Sequence, residues 1–308
     1  MNFKNLIKAT IIADSISENG IRMTTMEIEY PRFILAELNT HRMLSKNSAS
    51  SRAIPVASML EHIRHNTAGP VYWGKNQSGM QAKEQVGSAN RSMAEYLWIK
   101  ARDSAINYAL QLTDLGLHKQ LTNRITEPWM LMKTVISGTE WANFFWLRNH
   151  PDAQPEIAEL AAKMYAAYST STPELLYSGE WHVPYVNTYR NTIEDQRTYH
   201  DANGDKIAAH DAKIISASCC AQVSYRKNDD SFDKALKIYK QLIESQPAHA
   251  SPVEHQATPV DSRVFSIYEP ERWKAFGISH IDAELQPWSG NLRGWVQFRK
   301  LIPNEAKW

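Results

Sequence analysis

The stretch RMTTMEIEYPRFILAEL, residues 22–38, carries the clearest structural pattern in the chain. Apolar and polar residues alternate over residues 22–30, which predicts a strand with one buried face. Pro31 follows at a position that suits the first turn of a helix, and FILAEL extends that helix toward Thr40. A strand that leads directly into a helix predicts a protein of mixed α and β structure.

The longest helix is predicted between residues 88 and 115. Apolar and small side chains recur there at helical spacing, namely Met93, Leu97, Ala101, Ala105 and Ala109. Gly116 is a natural C-terminal stop for this helix. The pattern also predicts a strand at 134–137 and helices at 140–148, after Pro155 and at 231–245.

Two stretches lack any periodicity. Residues 66–87 and 171–207 are rich in Gly, Pro, Asn, Ser and Tyr, which predicts long loops. The links between the other predicted elements are short, and no repeat or low-complexity linker divides the chain. We therefore expect residues 1–308 to form a single domain with loop insertions near 66–87 and 171–207.

Composition excludes several classes of protein. The 34 Lys and Arg residues nearly cancel the 33 Asp and Glu residues, so no overall field attracts nucleic acid or an anionic membrane. The adjacent Cys219 and Cys220 are the only cysteines, and they cannot build a disulfide framework or a structural zinc site. No apolar run is long enough to span a bilayer. We expect a cytoplasmic protein without a metal.

Two familiar motifs are present only in imperfect form. Residues 69–75 have the spacing of a phosphate-binding P-loop, but Asn76 stands where Ser or Thr should hold magnesium, and no apolar strand precedes them. Residues 61–65, EHIRH, do not have the H-E-x-x-H order of a zinc helix. We interpret the second segment as a solvated helix face.

The most informative segment is THRMLSKNSASSR, residues 40–52. It packs arginine, histidine, asparagine and serine side chains into thirteen positions, a set of donors suited to phosphate and a heteroaromatic ring. Composition alone leaves an ordinary polar loop equally open, because serine and asparagine also dominate turns.

The spacing of this segment resembles the signature R-H-R-x-x-S-x-N-x-x-S-x-R of the flavin-dependent thymidylate synthases. The residues in register are His41, Arg42, Ser45, Asn47, Ser50 and Arg52. Thr40 replaces the first arginine, and Glu37 stands where the family often has glutamine. The resemblance assigns His41, Arg42 and Asn47 to the flavin, and Glu37, Ser50 and Arg52 to the nucleotide.

A second block, residues 140–157, is similar to the family's N-F-x-x-L-R…A-Q-x-E-I segment. The resemblance places Asn143 beside the flavin and Arg148 at the uracil ring, where Arg148 is the catalytic residue. Upstream, Arg124 and Pro128 match the family's R-x-x-x-P turn, which assigns Arg124 to the nucleotide phosphate. Without the resemblance, an amphipathic core helix and a solvated helix end explain these residues.

A third match is HASPVEH, residues 249–255, similar to the family's H-x-S-P-F-E-H, whose last histidine borders the flavin. Residues 221–225, AQVSY, resemble the A-R-V-S-Y strand that opens most members. The resemblance adds His255, Ser224 and Ser137 to the flavin contacts. Both segments normally precede the arginine-histidine signature and here follow it, which predicts a circularly permuted chain.

The resemblance implies an α+β fold, with one twisted, mainly antiparallel sheet packed with long helices. It implies an enzyme that methylates dUMP with methylenetetrahydrofolate and NADPH through FAD, as a homotetramer with shared active sites. No motif locates the folate or NADPH. Related alternatives are C5 hydroxymethylation, action on dCMP, and flavin or nucleotide binding without turnover.

The chemistry suits a route without a catalytic cysteine. Cys219 and Cys220 lie in the small apolar run IISASCC with no neighbouring base, a setting for core packing. Arg148 is then expected to stabilise charge on the uracil, while Arg42, Arg52 and Arg124 neutralise phosphate. As a further hypothesis, Arg299 or Arg293 replaces the arginine lost at Thr40; solvated surface charges are the alternative.

Overall fold

A five-stranded sheet forms the centre of the molecule. The computed structural model describes residues 3–191, 193, 195–224, 231–243, 245, 247–303 and 305–306. The strands are β1 (Lys8–Ser17), β2 (Arg22–Pro31), β3 (Ser45–Ser48), β4 (Leu131–Gly138) and β5 (Glu174–Leu176). Their spatial order is β3-β4-β2-β1-β5, and every pair is antiparallel except β1 with β5.

Three smaller sheets surround this centre. Strands β6 (Asn187–Asn191), β7 (Gln196–His200) and β8 (Lys206–Ile207) form the first. Strand β9 (Ala257–Pro259) pairs with β13 (Trp295–Gln297), and β10 (His280–Ile281), β11 (Pro287–Ser289) and β12 (Leu292–Arg293) form the last. The prediction of one sheet is therefore wrong, although the fold is α+β.

The helices are α1 (Leu35–Asn39), α2 (Val56–His65), α3 (Ser88–Asp114), α4 (Lys119–Thr122), α5 (Ala142–Arg148), α6 (Pro155–Thr170), α7 (Ala209–Ala221), α8 (Phe232–Ile243) and α9 (Pro270–Trp273). The predicted long helix is confirmed as α3. Gly116 ends it with a φ of 81°, a conformation that glycine adopts without a steric cost. None of the helices in the described residues is long and apolar enough to cross a membrane.

The interpretation of 171–207 as an irregular loop is wrong, because these residues contain β5 to β8. Strand β6 reads NTYRN and strand β7 reads QRTYH, with one aromatic residue each and no run of apolar side chains. Without apolar alternation, the strand signal is missing from the sequence. Residues 66–87 are irregular apart from an isolated bridge between Gly74 and Gln85 and a short 310-type or bend geometry around them.

The expected strand at 221–225 is also absent. Ala221 ends α7, and Gln222–Ser224 form a 3₁₀ turn, while Tyr225 lies outside the described residues. Helix α7 is buried on almost every side from Ile214 to Cys220, so its sequence shows no amphipathic period. A short apolar run of this kind cannot be told from a strand by periodicity alone.

The two faces of the central sheet differ in what they pack against. The first face carries Met26, Ile28, Met132 and Ile136, which are fully or almost fully buried against α6 and α5. Burying each such side chain stabilises the fold by about 1.5–3 kcal/mol. The second face carries more polar residues and lies under α7 and the C-terminal segments.

Strand β3 places the signature at the edge of this sheet. In its register with β4, Ser45 lies opposite Ser137 and Asn47 opposite Val135. Because alternate residues of a strand point to opposite faces, Ser45 and Asn47 lie on the second face and Lys46 on the first. The signature therefore serves both faces of the sheet edge.

Candidate active site

Arg148, the last residue of α5, is held by three side chains from the end of α1 and the residues after it. Its Nε donates to Nε2 of His41 at 2.8 Å, and its Nη1 donates to the Glu37 carboxylate. Its Nη2 lies 3.5 Å from the Thr40 hydroxyl oxygen. The structure thus brings together Glu37, His41 and Arg148, which the sequence assigned to one site, and adds Thr40 to them.

The bond from Arg148 fixes the protonation of His41. Since the Nε–H of Arg148 donates to Nε2, that nitrogen must be unprotonated, and the ring carries its proton on Nδ1. Burial lowers the pKa of His41 to about 4, and the charges of Arg148 and Lys46 lower it further in the same direction. The ring also packs edge-on against Phe144, with centroids 4.9 Å apart. His41 is therefore a neutral acceptor at neutral pH.

Lys46 lies beneath the same turn and was not singled out by the sequence. Its Nζ donates to the backbone oxygens of His41 and Leu44, the latter at 2.9 Å. Burial lowers the pKa of Lys46 to about 8, although the charge of Glu254 opposes the shift. Nothing in its position within the motif distinguishes it from a variable residue, so only the structure shows that it braces the turn.

Asn47 joins the signature to two distant segments on the second face. Its Nδ2 donates to the backbone oxygen of Cys220 at the end of α7, and its Oδ1 accepts from the Ser251 hydroxyl at 3.2 Å. Ser45 hydrogen-bonds with Asn291 at 3.0 Å, and Gln297 donates to the same Asn291 at 3.1 Å. Asn291 and Gln297 gave no signal in the sequence.

His255 and Ser137 lie in a buried hydrogen-bonded cluster on the second face. The Ser137 hydroxyl is 2.8 Å from Nδ1 of His255 and 2.6 Å from the Thr25 hydroxyl. Thr25 in turn is 2.8 Å from Nε2 of His182. His182 and Thr25 are functional candidates that the sequence did not indicate, because they lie in no recognised motif.

Several predicted contacts are exposed and unpaired. The side chains of Arg42, Arg52 and Asn143 are exposed and form no hydrogen bond or ion pair within the described part of the chain. Arg124 is also exposed, with Nη1 3.4 Å from Glu127. These donors are free to meet an anion.

A backbone contact brings two of these arginines toward each other. Asn123 donates from Nδ2 to the backbone oxygen of Ser51 at 2.8 Å, and Arg52 and Arg124 are the next residues along each segment. A cavity of about 930 Å³ opens nearby, and Ser51 and Lys133 contribute to its lining. Its size is within the range of small-molecule sites. Ser50 is half-buried, and the side chain of Ser224 lies outside the described residues.

The remaining candidates are occupied by packing or ion pairs. Cys219 and Cys220 are fully buried in α7, and burial raises the pKa of the Cys220 thiol well above its ordinary value. Arg299 pairs with Glu254 and Glu305, and Arg293 donates to Glu140 at 2.7 Å. The cysteines are therefore in no position to supply a thiolate.

The comparisons with known proteins support the sequence resemblance. The family described as thymidylate synthase complementing protein matches residues 20–174, half of the chain. The chain belongs to this family, which is that of the flavin-dependent thymidylate synthases. The match includes Glu37, His41 and Arg148 but neither Ser224 nor His255. No curated protein matches the chain.

Two solved structures share part of the fold. Both are of the UMP/dUMP methylase PolB from Streptomyces cacaoi, one bound with 5-Br UMP and one with 5-Br dUMP. They are 14% and 15% identical to this chain, with TM-scores of 0.42 and 0.44. Each comparison covers 53% of this chain, and 88% and 90% of the two PolB chains.

Proposed function

We propose that this protein is a flavin-dependent thymidylate synthase, which converts dUMP to dTMP with methylenetetrahydrofolate and NADPH through FAD. The observation that carries the proposal is the position of Arg148. The predicted catalytic arginine meets Glu37 and His41 of the signature, although more than a hundred residues separate them. Family membership over residues 20–174 supports the same assignment.

The side chains present fit a flavin and a nucleotide. Arg42 and Asn143 offer exposed, unpaired donors, and Arg52 and Arg124 are drawn together by the Ser51–Asn123 contact. Arginine forks bind phosphate oxygens in pairs, so these residues suit the phosphates of FAD and dUMP. When bound, the reduced flavin supplies the hydride that completes the methyl group.

Arg148 has the geometry for electrostatic catalysis. Its guanidinium is oriented by Glu37 and by neutral His41, so it is held before substrate binds. A preorganised donor that faces a uracil carbonyl oxygen stabilises the negative charge that develops there, and removing one such donor typically costs about 100- to 1000-fold in rate. The buried cysteines are consistent with a mechanism that needs no protein nucleophile.

We also propose that the chain is circularly permuted relative to most members. Asn47 contacts Ser251 across a separation of 204 residues, and Ser137 contacts His255 across 118. Both contacts join the signature region to the segment that usually precedes it. Permutation preserves such contacts while changing the order of the chain.

A homotetramer in the cytoplasm completes the proposal. One stripe of α3 exposes Met93, Leu97, Tyr108 and Leu115, each with more than half of its side chain accessible. Contiguous exposed apolar surface of this kind marks interaction sites. Residues from a neighbouring subunit could then complete the flavin site, as the family resemblance implies.

Glu37 favours a second candidate function. Its carboxylate, where the family often has glutamine, accepts a hydrogen bond from Arg148 and can also accept one from an amino group. A cytosine carries such a group and a uracil does not. Action on dCMP, or release of a hydroxymethylated product, is therefore the alternative, together with binding without turnover.

FAD titration tests the proposed cofactor. Purified wild-type protein should gain flavin absorbance, and Asn143→Ala should weaken binding by roughly 10-fold, about the value of one hydrogen bond. Asn107→Ala, an asparagine on α3 outside the site, is the matched control and should bind FAD normally. A wild-type protein that takes up no FAD would contradict the proposal.

A further inference from the structure

A continuous chain of hydrogen bonds runs through the second face of the sheet. Ser15 lies 2.9 Å from Nδ1 of His182, and Nε2 of His182 lies 2.8 Å from Thr25. Thr25 lies 2.6 Å from Ser137, which lies 2.8 Å from Nδ1 of His255. All five side chains are almost completely buried. We call these five residues the buried relay.

The backbone holds both imidazoles of the buried relay in place. The His182 N–H donates to the Ala257 oxygen at 2.8 Å, and the Ala257 N–H donates back at 3.3 Å. Ala257 follows His255 by two residues, so one bridge anchors the segments that carry both rings. The Trp295 ring packs edge-on against His182, with centroids 6.4 Å apart. This rigid setting leaves the protons as the main freedom of the relay.

Each ring of the relay carries a single proton at neutral pH. Burial lowers the pKa of both His182 and His255 to about 3. The Arg197 charge lowers the pKa of His182 further, and Asp14 opposes it. A neutral imidazole has one donor nitrogen and one acceptor nitrogen, and each hydroxyl donates one proton. Only two directions of donation are then consistent along the chain.

The two directions differ in what they leave unpaired. If donation runs from His255 to Ser15, the Ser15 O–H has no acceptor among the described residues, and Nε2 of His255 is an unpaired lone pair. If it runs from Ser15 to His255, every hydroxyl proton is used, and only the Nε2–H of His255 lacks a partner. A buried donor without an acceptor is costly, so the direction with fewer unpaired groups is favoured.

We propose that Ser15, His182, Thr25 and Ser137 hold His255 in the tautomer that carries its proton on Nε2. His182 is thus a positioning residue that acts on His255 through two hydroxyls. The Nε2–H is a neutral donor in an enclosed setting, where it gains most from an acceptor atom. In a part that rests on the proposed function, that acceptor belongs to the heteroaromatic ring of FAD.

The tautomer can be measured without any ligand. Protein labelled with ¹⁵N in its 11 histidines is observed by NMR, and the His255 signals are assigned with His255→Gln. We expect wild-type His255 to show a protonated Nε2 and an unprotonated Nδ1. Thr25→Val removes the central hydroxyl with little change of shape, and the Nδ1-protonated form of His255 should then appear beside the first.

Thr134→Val is the matched control. Thr134 is an equally buried hydroxyl on the first face of the same sheet, 2.8 Å from both Tyr30 and Ser48, and it has no part in the relay. It should cost similar stability and leave the His255 signals unchanged. If Thr25→Val does not fold, Ser15→Ala interrupts the far end of the relay and should also release the second tautomer of His255.

The proposal is overturned if wild-type His255 carries its proton on Nδ1, or if a folded Thr25→Val protein shows unchanged His255 signals. FAD affinity tests the acceptor: Thr25→Val should bind FAD roughly 10-fold more weakly than Thr134→Val, the value of about one hydrogen bond. Equal affinities would refute flavin as the acceptor. A wild-type protein that binds no FAD refutes the proposed function and leaves the tautomer result standing.

Discussion

The two buried histidines of the relay predict a steep loss of stability in mild acid. His182 and His255 are fully buried, and burial lowers the pKa of each to about 3, from an ordinary value of 6.5. In the unfolded chain both rings take up protons near pH 6.5, whereas in the folded protein they stay neutral. Because the folded pKa values are depressed, this stability is complete above pH 6.5 and is lost as the pH falls toward 3.

The size of the loss follows from the width of that window. Each ring costs about 1.4 kcal/mol of unfolding free energy per pH unit below 6.5. Between pH 7 and pH 5 this amounts to about 2 kcal/mol for each ring and about 4 kcal/mol for the pair. His41, with a pKa of about 4, adds a smaller loss of the same sign, because water partly screens it.

Urea unfolding at pH 7 and pH 5 measures this loss. Wild-type protein should lose about 4 kcal/mol or slightly more, and His182→Gln should lose about half as much, since one titrating ring is gone. His210→Gln is the control, because His210 is an exposed ring at the start of α7, and it should keep the wild-type difference. Equal free energies at the two pH values, or an unchanged difference in His182→Gln, would refute the reasoning.

Three further predictions concern the site and the assembly. Arg148→Lys should reduce turnover by roughly 100-fold or more, because lysine lacks the planar donor fork, whereas Cys220→Ser should lower only the melting temperature; a folded but inactive Cys220→Ser protein would contradict the mechanism. Arg124→Ala should weaken dUMP binding by roughly 10-fold in calorimetry, whereas Arg64→Ala, another exposed arginine, should not. Leu97→Glu places a charge on the exposed stripe of α3 and should reduce the oligomer mass in sedimentation; an unchanged mass would remove this stripe from the interface.

The sequence predicted those elements whose apolar residues follow a clear period. Strand β2 alternates between the two faces of the sheet, and Gly116 marks the end of α3. The sequence failed where burial has no period or strands have no apolar side. Helix α7 is buried almost all round, and β6 and β7 are polar strands, so neither pattern is visible in the residues alone.

The candidate site was predictable to the extent that its residues lie in spaced motifs. Glu37, His41 and Arg148 were named from such spacing, and the structure brings them into contact. The relay could not be found in this way. Thr25 and His182 are separated by 157 residues, and they meet because the register of β2 turns Thr25 to the second face. Contacts of this kind depend on packing that no local pattern records.

The central claim is that the chain methylates dUMP by a flavin route, and one anaerobic reaction tests it most directly. Wild-type protein with FAD is incubated with dUMP, methylenetetrahydrofolate and NADPH, and the nucleotide product is identified by mass spectrometry. The account predicts dTMP from wild-type protein and a trace at most from Arg148→Lys. Unchanged dUMP despite flavin reduction by NADPH, or a hydroxymethylated nucleotide as the sole product, would contradict it.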